Sequence, residues 1–327
     1  MKQGSTPATS KTTAPRGPHT PPRFFELIPE NPGIDFLRWA PTMIALSWLL
    51  IVAGLAAIWY RGGLNYGIDF VGGTSVMVRF TQPESIADVR AALSRPELRA
   101  AVVQDVGGGG GTEYQIRVQG SSEENASSEA DAVKTGLRER FGEGTYDVLR
   151  VETVGPTVGK DLWRQATLAV LIATVLMGLY IAFRFDLAFG LGAAVALIHD
   201  VLFTLAALAL ANMEFDLTTV AALLTVVGFS VNDTVIISDR IRENMRKHRG
   251  MGLADLLNLS INETLSRTVI NSGTAILVTA ALFFLGGPVI HTFAFALLVG
   301  FIVGTYSSIF IASPIVLYVS RRLGRRT

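Results

Sequence analysis

Apolar positions along the chain follow two different rhythms. Six runs are almost continuously apolar and approach the ~20 residues needed to cross a bilayer. They cover residues 40–60, 165–183, 187–211, 217–238, 268–287 and 290–319. The last run contains Pro314 and is longer than a span requires, so its membrane part is expected nearer 292–318. Between the first two runs, residues 61–162 change to apolar–polar alternation mixed with helical spacing. Strands are expected at Ser75–Phe80, Val102–Val106, Tyr114–Val118 and Tyr146–Val154. Helices are expected at Ser85–Ser94, where Ile86, Val89, Ala92 and Leu93 share a face, and at 126–141.

The order β-α-β-β-α-β is that of a small ferredoxin-like domain. Gly107–Gly111 joins its second and third strands; with no Lys-Ser/Thr after it, the run reads as a hairpin linker rather than a phosphate loop. The expected fold is therefore a polytopic α-helical membrane protein with six transmembrane helices. A small external α+β domain lies between helices 1 and 2. Residues 1–22, rich in Pro, Thr, Ser and Lys, read as a disordered tail. The first apolar run starts late and ends at Trp59-Tyr60 without a small-residue cleavage site, so a signal peptide is not expected.

Composition agrees with this class. Half the residues (50%) are hydrophobic and 17% are charged, against about 25% in soluble domains, and mean hydropathy is +0.41. The absence of cysteine excludes disulfide frameworks, thiolate catalysis and Cys-based zinc sites. The four histidines, His19, His199, His248 and His291, stand in separate segments without ligand spacing. Net charge is near zero but unevenly placed. Lys and Arg number five in the tail 1–39, one in the turn 184–186, six in the loop 239–267 and four in the tail 320–327; the loops 212–216 and 288–291 have none. Basic loops stay in the cytoplasm, so both termini are expected there and the domain 61–162 outside. That domain has 11 basic and 15 acidic residues, an ordinary balance that does not point to nucleic acid.

Three ionisable positions within or beside the apolar runs need explaining, because a charge at helix centre costs about 2.5–3.5 kcal/mol on insertion scales. Asp200 is in the third run after His199, Asp233 lies in the polar patch Ser230, Asn232, Asp233, Thr234, and Arg267 begins the fifth run. Helical spacing places Ser230 and Arg240 on the face of Asp233, a polar stripe that should face other helices or water. One reading makes these groups interhelical glue. The other makes Asp233 and Arg267 ion-coupling residues, with Asp200 a further candidate. Burial raises a carboxyl pKa and a nearby Arg lowers it, so an Asp that gains and loses an Arg takes up and releases a proton. Contact between Asp233 and Arg267 is a hypothesis, since periodicity says nothing about different spans. The stripe serves H⁺ or Na⁺ equally well.

The remaining features have structural readings. Gly300 and Gly304 suit close helix packing, and Gly286-Gly287-Pro288 a turn. His199 and His291 are read as hydrogen-bonded histidines before proton carriers. Residues 251–262, with Leu253, Leu256, Leu257 and Leu259, form an amphipathic segment that either lies on the membrane surface or packs against helix ends. No GxSxG, HExxH or Walker motif is present, so neither an enzyme, a metal site nor an ATP-driven motor is expected.

Four segments resemble one family. Leu64–Thr74 (LNYGIDFVGGT) is similar to the signature after the first span of the SecD/SecF family, and Val154–Leu162 (VGPTVGKDL) to its second signature. Gly228–Asn244 (GFSVNDTVIISDRIREN) resembles the SecF form of the fourth span, and Ser266-Arg267-Thr268 its fifth. The resemblance covers nearly all of residues 35–320. It implies half of a proton-driven transporter of the RND type, in the bacterial inner membrane, that helps secretory chains across. It implies a SecD-like partner, the SecYEG channel, a YajC-like subunit and unfolded secretory polypeptide as partners, with no cofactor beyond the transported ion. By position it assigns proton coupling to Asp233 and Arg267 and prefers H⁺; it gives Asp200 no firm role. Gly67, Asp69, Gly72, Gly73, Gly155, Pro156 and Gly159 of the two signatures are read as structural. The competing expectations are half of a lipid or small-molecule exporter, against which the small external domain argues, and an uncoupled scaffold.

Overall fold

The structure is a computed structural model and describes residues 32–95, 98, 101–106, 110, 112–118 and 126–324. The tail 1–22 and most of the Gly107–Gly111 linker lie outside the described residues. Helix α1 (Phe36–Arg61) is followed by a short α2 (Ile68–Val71) and by a domain built from β1 (Gly73–Phe80), α3 (Ile86–Ala92), β2 (Val102–Asp105), β3 (Glu113–Val118), α4 (Ala126–Phe141) and β4 (Tyr146–Val154). Then come α5 (Pro156–Arg184), α6 (Leu187–Leu210), α7 (Leu217–Lys247), α8 (Leu253–Leu285) and α9 (Pro288–Ser307), which runs through a π-helical segment, Ser308–Ala312, into α10 (Ser313–Arg322). Among the described residues, six helical stretches are long and apolar enough to span a membrane, the last running from α9 to α10.

The domain is an antiparallel sheet of order β2-β3-β1-β4, the arrangement a β-α-β-β-α-β chain reaches when each helix crosses one face. Alternation decides which face is covered. Val76, Val78, Phe80, Val103, Tyr114 and Ile116 are buried against Val89 and Ala92 of α3 and Val133 and Leu137 of α4.

Burial separates the spans into two classes. The most apolar windows of α6, α7 and α9–α10 are 56%, 56% and 61% buried, against 17–22% for α1, α5 and α8. The first three are the central helices, and the outer ones turn Leu49, Leu179 and Phe183 outward, as lipid-facing helices do. Gly300 and Gly304 set the closest central contact. A Cβ on Gly300 would come 2.1 Å from Val226, and one on Gly304 3.0 Å from Ser230 Cβ, so glycine lets α9 lie directly on α7.

Two elements differ from the sequence reading. Residues 239–267, expected as a loop, are mostly helix: α7 continues to Lys247 and α8 starts at Leu253. Charged residues carry both helices onward. Arg240 Nη1 and Lys247 Nζ bond Glu243 on their own helix (2.7 and 2.6 Å), and Arg240 Nε bonds Glu263 of α8 at 2.7 Å. The segment 251–262 is accordingly the first part of α8 and packs against other elements. Leu256, Leu257 and Ile261 are buried there, while Asn258 and Asn262 bond the backbone before and at the start of α1. In the last span, Pro314 lacks the N–H that a regular helix would use. The π segment absorbs the break, and Ser313 Oγ donates to Ser308 O at 3.1 Å.

Candidate functional site

The polar residues of the central helices meet in a buried seam between α6, α7 and α9. Asp233 lies sixteen residues into α7, about 24 Å from its first residue at 1.5 Å per residue. The helix α7 continues beyond it to Lys247, so Asp233 is central in the helix. Its side chain is fully buried. Oδ2 accepts hydrogen bonds from Ser272 Oγ of α8 (2.8 Å) and Thr305 Oγ1 of α9 (3.3 Å). Oδ1 is buried without a hydrogen-bond partner among the described residues. Asn271 stands beside the same carboxyl group, its Nδ2 short of a formed hydrogen bond. An ionised carboxylate offers about four acceptor positions, so this one is only half satisfied.

Asp200, on α6, is equally buried and better satisfied. Oδ2 accepts from Ser230 Oγ of α7 (2.6 Å) and Ser307 Oγ of α9 (2.9 Å), and Oδ1 lies 3.1 Å from His199 Nδ1. The two carboxyl groups share their supporting helices. On α7, Ser230 serves Asp200 three residues before Asp233; on α9, Thr305 serves Asp233 and Ser307 serves Asp200. Thr234 Oγ1 and Ser308 Oγ, 2.9 Å apart, continue the seam into the π segment. π-helical turns recur at functional sites because they place neighbouring side chains off the regular helical face. Ser272, Thr305 and Ser307 were not singled out from sequence: a lone hydroxyl in an apolar helix gives no signal until its neighbour is known.

The other sequence candidates are distributed differently. Arg267 is exposed and forms no ion pair with Asp233 among the described residues. It lines a cleft of about 1160 Å³ between α7 and α8, with Asn271 one helical turn deeper. The cleft therefore reaches from Arg267 to the neighbour of Asp233. Arg240 points away from the carboxylate, toward Glu243 and Glu263. Asn232 is on the exposed face of α7, outside the buried seam. His291 is hydrogen-bonded to Phe283 O (3.1 Å) and stacks on the Phe283 ring.

The two glycine-rich signatures pack against each other where the domain joins the helices. Gly72 has φ +76° and ψ 159°, a region essentially reserved for glycine, and a Cβ there would lie 2.7 Å from Pro156 Cα. A Cβ on Gly159 would lie 2.9 Å from Phe70 O. Gly155 N-caps α5 with Pro156 as its first residue, and Asp69 Oδ2 accepts from Leu217 N at 2.9 Å, holding the start of α7. Arg117 of β3, not singled out from sequence, is 7% exposed at the same junction. Its guanidinium donates to Tyr66 O (2.9 Å), Asn65 Oδ1 (2.7 Å) and Gln104 Oε1 (2.8 Å). It also lies 3.4 Å from Glu214 of the α6–α7 connection.

Comparison with known proteins places this arrangement. The family described as Protein export membrane protein SecD/SecF, C-terminal, matches residues 133–322, and the SecD/SecF GG Motif matches residues 62–84. The chain belongs to the SecD/SecF family. The Protein translocase subunit SecF of Desulfurispirillum indicum is 43% identical over 290 residues, 87% of this chain and 91% of the relative. That of Magnetococcus marinus is 47% identical over 285 residues, 86% of this chain and 91% of the relative. The crystal structure of SecDF from Thermus thermophilus, described as a translocon-associated membrane protein, superposes with a TM-score of 0.79 at 39% identity. The match covers 90% of this chain and 39% of the SecDF chain, so this chain spans well under half of that structure. SecDF in its super-membrane-facing form gives a TM-score of 0.63 at 38% identity and 89% coverage. Within the SecD/SecF frame, the GG-motif match holds Gly67, Gly72 and Gly73, and the C-terminal match holds both buried carboxyl groups.

Proposed function

We propose that this chain is a SecF-type subunit of the bacterial protein-export machinery. It works with a SecD-like partner beside the SecYEG channel, joined by a YajC-like subunit, and uses the proton-motive force to promote passage of unfolded secretory chains. Family membership and SecF relatives that it matches over nine-tenths of their length support the subunit assignment. The coupling role rests on one observation: Asp233 is buried in the seam with one oxygen unsatisfied among the described residues, beside Asn271, which lines the cleft that Arg267 also lines. A carboxyl group kept merely as glue has no reason to leave an oxygen without a partner. Protonation of Asp233 removes the buried charge, and Arg267 serves as the cation that approaches when Asp233 is ionised in another arrangement of α7 and α8. The basic loops support an inner-membrane topology with both termini cytoplasmic and the sheet domain outside.

The test is translocation of a reporter protein in vesicles carrying this chain and its SecD-like partner, with the proton gradient present or collapsed. Asp233→Asn keeps size and polarity and removes titration. The gradient is expected to stimulate late translocation in the wild type and not in the variant. Equal stimulation of both, with normal complex assembly, makes Asp233 structural and the chain a scaffold. Unchanged secretion accompanied by a lost efflux phenotype favours the lipid or small-molecule exporter instead.

A further inference from the structure

A coupled transporter needs a mechanical route from its ion site to the part that acts on cargo, and the contacts at the domain junction join the two. Helix α7 carries Asp233 and begins at Leu217, where two carboxylates hold its first turn: Asp69 Oδ2 accepts from Leu217 N, and Asp216 Oδ1 accepts from Thr219 N (2.7 Å). Just before it, Phe215 runs beside the segment that leaves α1. Phe215 N donates to Asn65 O (2.7 Å), and Gly67 N donates to Phe215 O (2.8 Å). The approach is so close that a Cβ on Gly67 would lie 2.8 Å from Glu214 Oε1. A shift or tilt of α7 therefore moves residues 65–69 and 214–216 together.

Arg117 joins this moving unit to the sheet. It stands on β3, whose neighbour β2 supplies Gln104 as its acceptor on the sheet side. Its other partners, Tyr66 O, Asn65 Oδ1 and Glu214 Oε1, all belong to the two strips tied to α7. A guanidinium suits the task because its rigid fork holds several acceptors at fixed angles, which a point-charge ammonium cannot. The cluster is also able to rearrange. Arg117 Nε is buried without a partner among the described residues, so the bonds these residues supply do not satisfy the group fully. A cavity of about 260 Å³ adjoins it, lined by Gln104, Gln115, Asp69, Glu214 and Asp216, which leaves room for acceptors to exchange. The two SecDF structures fit this chain differently, with TM-scores of 0.79 and 0.63 at 39% and 38% identity.

We propose that Arg117 is the positioning residue through which the sheet domain follows α7, converting an ion-dependent movement at Asp233 into a change of domain orientation. This deepens the coupling reading above and rests on it. The test uses the full chain with its SecD-like partner in vesicles and measures two quantities on each variant. One is gradient-stimulated translocation of a reporter; the other is proton uptake that Asp233→Asn abolishes. Arg117→Ala is expected to keep assembly and Asp233-dependent proton uptake while losing the stimulation. Arg117→Lys, which retains charge without the fork, is expected to recover only part of it. Full stimulation in Arg117→Ala overturns the proposal. So does loss of proton uptake along with translocation in an assembled complex, because the residue then acts on the ion site and not downstream of it. Should Arg117→Ala fail to assemble, Asn65→Ala and Gln104→Ala each remove one acceptor, and full stimulation in both overturns it equally. Failure of the coupling reading gives a different pattern: equal gradient stimulation in the wild type and in Asp233→Asn.

Discussion

Asp200 and Asp233 are the same residue type and both are fully buried, yet their surroundings satisfy them to different degrees. Each oxygen of Asp200 has a partner, and its donors come from three helices: His199 of α6, Ser230 of α7 and Ser307 of α9. Such a carboxyl group is the polar centre of a helix junction. Removing it strands donors that have no water to turn to, at about 1–3 kcal/mol for each buried unsatisfied group. Asp200→Ala should therefore lower the unfolding temperature of the detergent-solubilised chain markedly. Asp200→Asn, which keeps an acceptor oxygen for the two serines, should lower it much less. Thermal unfolding followed by fluorescence separates the two outcomes, and equal losses would mean that the charge, not the hydrogen bonding, holds the junction. Asp233 with its empty Oδ1 has less to lose structurally, which is why its Asn variant serves as a functional test.

Local rhythm made the elements readable. A continuous apolar run or a period-two alternation is a property of neighbouring residues, and the helix 126–141 and strand Tyr146–Val154 have the bounds that their patterns predict. What the rhythm missed depends on distant partners. Ser272 and Thr305 reach Asp233 from 39 and 72 residues away, and Arg117 meets Asn65 across 52. Polarity likewise marked 239–267 as a loop, because Arg240, Glu243, Lys247 and Glu263 look solvated until their pairing along and between helices is known. Continuity of α8 from Leu253 is the consequence most open to measurement. With Leu256, Leu257 and Ile261 buried and Asn258 and Asn262 tied to the start of α1, the amides of residues 256–262 should exchange hydrogen as slowly as those deeper in α8. Leu257→Ala, which removes a fully buried side chain at a cost of about 2–5 kcal/mol, should make that segment exchange fast while the rest of α8 stays protected. Rapid exchange in the wild type would point to a detached surface helix.

At the scale of the whole molecule, the sheet domain is joined to the bundle covalently at two places and electrostatically at the Arg117–Glu214 contact, with side chains only 9% and 13% exposed. Burial pushes the Glu214 carboxyl above its ordinary range. Arg117 of β3 pulls it down and Gln115 does the same by hydrogen bonding, while Asp216 and Asp69 push it further up. The net direction is upward, so desolvation outweighs the ion pair, as it often does for partly dry pairs. A carboxyl group with a raised pKa in the docked state binds its proton more tightly there than when the domain is loosened. Docking should therefore strengthen as pH falls through the raised value, reach its limit below the ordinary 4.5, and weaken as pH rises again. Hydrogen exchange at Gly67, Phe215 and the β3 amides, corrected for intrinsic rates, should show greater protection in acid. Glu214→Gln should be flat with pH and equal to the acid limit of the wild type. Protection that instead grows with pH would show the charged Arg117–Glu214 pair to be the stabilising form. In the proposed topology this junction faces the side that the proton-motive force makes acidic, so the gradient proposed to load Asp233 is expected to tighten this contact as well.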